Sequence, residues 1–233
     1  MSHDPAQSLG AHTRENTGLL AAVETRALLW IARRLPRGVH SDHLSALGLG
    51  AMAAAGLSFA AFPFSSWAVV GVVAALAANW FGDSLDGTVA RVRNQQRSRY
   101  GFYVDHVIDL AGTTFLLAGL ACSGLMSPLA AALALAGFLL VSAETYLATH
   151  ASGVFRMSFM GCGPTELRIL IAVGALRAVT DPWVSLGALG SVRLFDLGAI
   201  IAATGMAIVF VVSAIRNTLA LSAADPRPVR TGA

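Results

Sequence analysis

Six apolar stretches, each about as long as a membrane is thick, dominate this chain of 233 residues. They run over Asp42–Phe62, Ser66–Arg91, Val104–Leu125, Pro128–His150, Pro164–Thr180 and Phe195–Leu219. Stretches of about 17–25 mostly apolar residues match the ~30 Å hydrocarbon core of a bilayer. The composition agrees, because 55% of the residues are hydrophobic and only 12% are charged, about half the charged share of a soluble domain. The sequence therefore predicts an all-α polytopic membrane protein with six transmembrane helices.

The basic residues indicate the orientation of these spans. All 16 are arginines, and with both termini in the cytoplasm only Arg177 and Arg193 fall outside. Positive charges of short loops stay on the cytoplasmic side of a membrane. This bias predicts cytoplasmic termini, and it favours topology over nucleic-acid binding as the reason for the basic charge. The absence of lysine is typical of a GC-rich bacterial genome, so the bacterial inner membrane is the expected location.

An amphipathic segment precedes the first span. Asn16 to Leu35 predicts a helix that ends at Pro36, because apolar residues recur there at intervals of three and four. These residues are Leu19, Leu20, Val23, Ala27, Trp30 and Ile31. Such a helix suits the cytoplasmic membrane surface, and packing against the protein is the alternative. We therefore expect a cytoplasmic segment at 1–37, a membrane domain at 38–221 and a disordered cytoplasmic tail at 222–233.

Four aspartates lie within 27 residues at the cytoplasmic edge of the second and third spans. They are Asp83, Asp86, Asp105 and Asp109. Charges beside apolar spans are costly and need a partner or a purpose. Helical spacing places each pair on one face of its span, and the antiparallel spans bring the pairs together. Cations would offset the repulsion, and oxygen ligands select Mg²⁺, Mn²⁺ or Ca²⁺ over zinc. A pair of such ions suits displacement at phosphorus.

Small residues and an arginine accompany the aspartates. Gly87, Ala90 and Gly101 have little or no side chain, so a ligand can lie close against both helices. Arg91 is placed to neutralise a phosphate. The pattern indicates metal binding, phosphate binding and close approach of a ligand at one place.

The eight residues together form the pattern D-x2-D-G-x2-A-R, a short spacer, and G-x3-D-x3-D. This stretch resembles the signature of the CDP-alcohol phosphotransferase family. The resemblance implies that the four aspartates bind two divalent cations, Mg²⁺ or Mn²⁺. It also implies that Gly87, Ala90, Arg91 and Gly101 contact the CDP moiety, and that Asp109 is the general base.

The same resemblance implies a reaction and its partners. A CDP-alcohol donor would give its substituted phosphate to a lipid or small-alcohol hydroxyl and release CMP, in phospholipid biosynthesis. The partners would be the donor, the acceptor and membrane lipid, with no nucleic acid, and the chain would form a homodimer.

Two short features concern the donor. Asp105-His106-x-x-Asp109 and Gly163-Pro164-Thr165-Glu166 resemble the aminoalcohol phosphotransferase branch. His106 is accordingly a candidate catalytic residue, and a polar residue satisfied at the helix edge is the alternative. Bacterial members of the family more often use CDP-diacylglycerol, so the donor stays open.

The acceptor side is equally open. Arg156 and Arg168 would either hold an acceptor phosphate or only set the topology. Other candidates are Asn79 for the donor site, with packing as its alternative, and Glu144, Tyr146 and His150 for an acceptor pocket.

A cation transporter or channel is the main alternative from another functional class. The aspartates lie at one membrane edge, whereas transporter sites usually lie near the midplane. The glycines and the alanine beside the aspartates also have no purpose in an ion path. Both features favour an enzyme.

Overall fold

The computed structural model describes residues 21–152 and 163–225, which form seven α-helices and one short hairpin. The helices are α1 (Ala21–Arg34), α2 (Ser41–Ala60), α3 (Ala68–Val92), α4 (Ser98–Cys122), α5 (Pro128–Ser152), α6 (Pro164–Thr180) and α7 (Leu194–Ala224). The hairpin consists of β1 (Trp183–Ser185) and β2 (Ser191–Arg193), with a 3-10 turn at Gly187–Leu189 between them. The predicted all-α membrane fold is confirmed. Arg156 and the predicted helix start at Asn16 lie outside the described residues.

Five of the helices are long and apolar enough to cross a membrane, namely α2, α3, α4, α5 and α7. The remaining predicted span, the fifth in chain order, corresponds to α6, which has 17 residues, the lower limit for a crossing helix. We call the end of the bundle that carries Asp83 and Asp105 the aspartate end, and the end that carries β1 and β2 the hairpin end. Thr165 of α6 hydrogen-bonds at the aspartate end, whereas Ala178 packs in the core near the hairpin end. The helix thus reaches from one end to the other, and a sixth span remains a prediction.

The helices differ from the predicted spans mainly at their ends. Helix α4 begins at Ser98, six residues before the predicted Val104, so Gly101 lies inside the helix. The connection from α3 is correspondingly short, and Asn94 turns it with a positive φ of 52°, a conformation that asparagine tolerates better than most residues. Helix α7 continues to Ala224, past the predicted Leu219. Both helices are therefore longer than the spans predicted for them.

Helix α2 lies in direct backbone contact with both aspartate-bearing helices. A Cβ added to Gly119 of α4 would come within 2.0 Å of the Gly56 carbonyl oxygen of α2. A Cβ added to Gly82 of α3 would come within 2.6 Å of the Leu44 carbonyl oxygen of α2. Because close-packed interiors leave no room for such atoms, these glycines set the spacing of α3 and α4 about α2.

Helix α1 packs on α3, which is the alternative stated for it above. Leu28 and Ala32 are buried against Leu85 and Val89 of α3. Of the predicted apolar face, Trp30 remains 59% exposed. The helix therefore has a protein-facing side and an exposed side with Trp30, and its position at the membrane surface remains a prediction.

Arg93 holds the connection between α1 and α2. Its guanidinium donates hydrogen bonds to the carbonyl oxygens of Leu35 and Pro36, both at 3.0 Å, and of Val39 at 2.5 Å. A fixed fork of donors suits such a cluster of carbonyl groups. This arginine, interpreted from the sequence as a topology charge, also anchors the start of α2.

The hairpin end was only partly predicted. Helix α6 ends at Thr180, before Asp181-Pro182, as the rule against proline inside helices requires. The three-residue strands β1 and β2, which pair Trp183 with Arg193, were not predicted. At the same end, the Asp196 carboxylate of α7 accepts a hydrogen bond of 2.6 Å from the Ser127 N–H, next to the start of α5.

Candidate metal and nucleotide site

Three of the four predicted ligands converge. Asp83, from the second half of α3, and Asp105 and Asp109, from the first half of α4, each offer a carboxylate oxygen within 4.8 Å of the others. Ligands on opposite sides of a Mg²⁺ ion lie about 4.2 Å apart, at twice the ~2.1 Å metal–oxygen distance. The three carboxylates therefore fit a hard divalent cation with only small side-chain movements.

Asp86 lies outside this group and is held by α2. Its Oδ2 accepts a hydrogen bond of 2.7 Å from the Ser45 hydroxyl, and its Oδ1 accepts one from the Gly87 N–H. The Ser41 hydroxyl donates to the Asp86 carbonyl oxygen at 3.0 Å. The sequence analysis missed Ser45, although two serines four residues apart at the start of an apolar helix already mark one polar face. His40, the residue before Ser41, is the N-cap residue of α2.

Arg168 joins α6 to the aspartate cluster. Its Nη2 donates to Asp83 Oδ2 at 2.5 Å, and its Nε donates to Asn79 Oδ1 at 2.7 Å. Asn79 is 5% exposed, and its Nδ2 donates to the Gly48 carbonyl oxygen at 2.9 Å. Asn79 therefore packs inside the bundle, as its alternative interpretation held, and it orients an arginine there.

Open space lies beside the predicted nucleotide-contacting residues. A Cβ added to Gly101 would meet no atom within 4 Å, and one added to Gly87 would meet only Arg91 Nη1, at 3.5 Å. Arg91 is exposed and donates to the Thr88 hydroxyl at 3.1 Å. Ala90 lies one turn after Gly87 on the same face of α3. The surface leaves room for a ligand next to the carboxylates.

The comparison with known families decides the broad identity. A sequence model of the CDP-alcohol phosphatidyltransferase family matches residues 45–215, about three quarters of the chain. The chain belongs to this family. The match includes all four aspartates, all of α3 to α6, and most of α2 and α7. No curated protein matches the chain.

Family membership establishes the class of reaction. CDP-alcohol phosphatidyltransferases are transferases that take their group from a CDP-alcohol in phospholipid synthesis. Together with the five long apolar helices, membership shows that this protein is an integral membrane transferase. Membership in a transferase family favours an enzyme over the alternative of a cation transporter.

In this transferase, His106 is packed between aromatic rings. Its ring centroid lies 4.1 Å from that of Phe102 and 5.1 Å from that of Tyr146 in α5. Its Nδ1 lies 2.6 Å from the Phe102 carbonyl oxygen. These contacts hold the His106 ring between α4 and α5, and its role in catalysis remains a prediction.

The three residues of α5 that were predicted to line an acceptor pocket do not face the same way. Tyr146 faces α4 through His106, whereas Glu144 accepts a hydrogen bond of 2.6 Å from Asn217 Nδ2 of α7. Residues two apart on a helix point in nearly opposite directions, so Glu144 is directed away from His106. His150 is exposed. The structure therefore does not gather these three residues around one pocket.

One residue near the site was not predicted at all. Oε1 of Glu24 in α1 accepts hydrogen bonds from Trp80 Nε1 at 2.8 Å, Ser84 Oγ at 3.4 Å and Thr165 Oγ1 at 2.9 Å. Glu24 thereby joins α1 to α3 and α6 next to Asp83. An acidic residue in an amphipathic helix is usually exposed to water, so the position of Glu24 in the sequence did not indicate these hydrogen bonds.

Proposed function

We propose that this transferase moves a substituted phosphate group from a CDP-alcohol to an acceptor hydroxyl and releases CMP, with divalent cations held by its aspartates. The observation that carries the proposal is the convergence of Asp83, Asp105 and Asp109 within 4.8 Å. Accessible space beside Gly87 and Gly101 supports it, because the nucleotide must lie against the metal-binding face.

Asp83, Asp86, Asp105 and Asp109 would hold two ions of Mg²⁺ or Mn²⁺. Bound divalent cations neutralise charge that develops on a transferring phosphoryl group and its leaving oxygen. Asp86 lies outside the three-carboxylate group and would join it as a fourth ligand, with its carboxylate oriented by the Ser45 hydroxyl. Only oxygen ligands are involved, which suits these hard cations.

The CDP moiety would lie along the faces of α3 and α4 that lack side chains. Gly87, Ala90 and Gly101 would admit it, because any larger side chain would fill the space it needs. Arg91 is exposed at the same place, and its guanidinium would pair with a phosphate oxygen.

Asp109 would act as the general base. It is the exposed member of the three-carboxylate group, so an acceptor hydroxyl can reach it within hydrogen-bond distance. The hydroxyl proton would pass to Asp109, the oxygen would attack phosphorus, and CMP would leave in line. His106, beside Asp105 in α4, remains a second candidate for proton transfer.

The donor would be CDP-diacylglycerol or a CDP-aminoalcohol, and the acceptor a lipid or a small alcohol. The arginine distribution supports a cytoplasmic active site with both termini inside. We also propose that the protein forms a homodimer in the bacterial inner membrane. The chain would divide into a cytoplasmic segment at 1–37, a membrane domain at 38–221 and a tail at 222–233.

The experiment is CMP release by the purified protein with Mg²⁺ or Mn²⁺. CDP-diacylglycerol, CDP-choline and CDP-ethanolamine are tested in parallel against a panel of acceptor alcohols. Metal-dependent release with one donor supports the proposal and identifies the branch. Cation flux into liposomes without CMP release from any donor would contradict it in favour of the transporter.

A further inference from the structure

Arg168 occupies a position that a topology charge does not require. Its Nε donates to Asn79 and its Nη2 to Asp83, so the guanidinium is fixed at two points. Asn79 is in turn held by the Gly48 carbonyl oxygen of α2. The orientation of the guanidinium thus depends on the α2–α3 framework that also positions the aspartates.

The ion pair of Arg168 differs from the other ion pairs among the described residues. The side chains of Arg168 and Asp83 are 15% and 17% exposed, whereas those of Arg97 with Asp42 and of Arg177 with Asp181 are roughly half exposed. Exposed pairs contribute little because water and salt screen them, and partly buried pairs are screened less. The charge of Arg168 therefore acts strongly on the aspartate cluster.

Asp83 belongs both to this ion pair and to the carboxylate group that fits a divalent cation. Carboxylates that share a site repel one another unless a positive charge lies near them. The guanidinium supplies one such charge when no metal ion is bound. A metal ion that enters the same group must share Asp83 with it and lies close to a like charge.

We propose that Arg168 is the resident counter-ion of the aspartate cluster: it stabilises the metal-free protein and lowers the affinity of the site for divalent cations. This inference rests on the proposed metal-dependent function. Its consequence is that the charge of Arg168 keeps metal binding weaker than the carboxylates alone would make it.

The test is Mn²⁺ binding to the detergent-solubilised protein without substrates, followed by electron paramagnetic resonance, together with melting temperatures. Arg168→Gln removes the charge, and Arg168→Met provides a second uncharged variant of similar length if the first fails to fold. Arg168→Lys keeps the charge. Arg177→Gln is the matched control, because it removes a charge and an ion pair from the same helix at the hairpin end.

We expect the uncharged variants to bind Mn²⁺ at least about tenfold tighter than wild type, because they remove the Coulomb repulsion between the guanidinium and the ion over several ångströms in a protein environment. Without metal they melt at a lower temperature, and a fixed Mn²⁺ concentration raises their melting temperature by more, as linkage requires. Arg168→Lys and Arg177→Gln retain Mn²⁺ affinity close to that of wild type.

Equal or weaker Mn²⁺ binding in the uncharged variants overturns the counter-ion role, and so does tighter binding in Arg168→Lys. Both results require Mn²⁺ binding by the wild-type protein, so they leave the proposed function intact. If the folded wild-type protein bound no Mn²⁺ at all, the metal-dependent function itself would be contradicted, and the counter-ion inference with it.

Discussion

The Ser45 hydroxyl of α2 donates a hydrogen bond of 2.7 Å to the Asp86 carboxylate of α3. The two helices meet closely here, because Gly82 of α3 lies against the α2 backbone. Of the four signature aspartates, Asp86 is thus oriented by a helix that lies outside the signature. The proposed metal site depends on α2 as well as on α3 and α4.

Ser45→Ala tests this dependence. Residues that orient metal ligands typically contribute about 10–100-fold to metal affinity, so we expect Mn²⁺ affinity to fall by about tenfold or more. Ser41→Ala is the control, because Ser41 bonds the Asp86 backbone rather than its carboxylate. Equal effects of the two variants on Mn²⁺ binding would contradict the orienting role of Ser45.

Removal of a proposed ligand should have a larger effect. Asp86→Asn and Asp105→Asn are each expected to lower metal-dependent CMP release by at least about 100-fold, since loss of a direct ligand should exceed the loss of its orienting partner. Asp181→Asn, at the exposed hairpin end, should leave release unchanged. Normal turnover in Asp86→Asn or Asp105→Asn would show that these carboxylates do not serve the reaction.

Asp109→Asn tests the role of general base, which we propose for Asp109 and not for the other three aspartates. An amide of the same shape cannot take the proton of the acceptor hydroxyl, and general bases contribute about 10²–10⁴-fold to rate. We expect turnover to fall by at least about 100-fold while binding of the CDP-alcohol, followed by calorimetry, is better preserved. Unchanged turnover would remove Asp109 as the base.

Glycine substitutions distinguish the nucleotide surface from the packing surface. Gly87→Leu and Gly101→Leu should fold, because an added Cβ meets little there, but they should lose affinity for the CDP-alcohol. Gly119→Ala should instead lower the melting temperature, since its Cβ would collide with the Gly56 carbonyl oxygen at a cost of about 2 kcal/mol or more. Unaltered donor affinity in Gly87→Leu would contradict the assigned nucleotide position.

Glu24→Ala should loosen α1. The substitution leaves the part-buried Trp80 indole N–H and Thr165 hydroxyl without their acceptor, at a cost of about 1 kcal/mol, since water can partly replace the acceptor at such sites. Faster amide hydrogen exchange in α1 is the expected readout, with Glu24→Gln as a milder variant because its amide oxygen still accepts. Equal exchange in wild type and Glu24→Ala would exclude Glu24 as the link between α1 and α6.

Much of the fold follows from local patterns in the sequence. The apolar spans and the D-x2-D-G-x2-A-R pattern predicted helices α3 and α4 and the faces that carry the aspartates. The start of α4 at Ser98 was missed because its first turn holds Ser98, Arg99 and Gly101 and carries no apolar periodicity. The hairpin was missed because strands of three residues are too short to show alternation.

The contacts that support the site could not be predicted in this way. Ser45 and Asp86 are 41 residues apart in the chain, Asn79 and Arg168 are 89 apart, and Glu24 and Thr165 are 141 apart. Helical periodicity shows which face a residue occupies but not which helix covers that face. Such pairings arise from tertiary packing, here from glycine contacts that bring α2 against α3 and α4.

The most direct test of the central claim is a Mn²⁺ titration of CMP release by the wild-type protein, with the donor that the panel identifies and with chelator as the zero point. The account predicts no release in chelator and a saturable rise with Mn²⁺ over the range in which the ion binds the protein. Release that is fully retained in chelator would contradict a reaction that depends on divalent cations at the aspartate cluster.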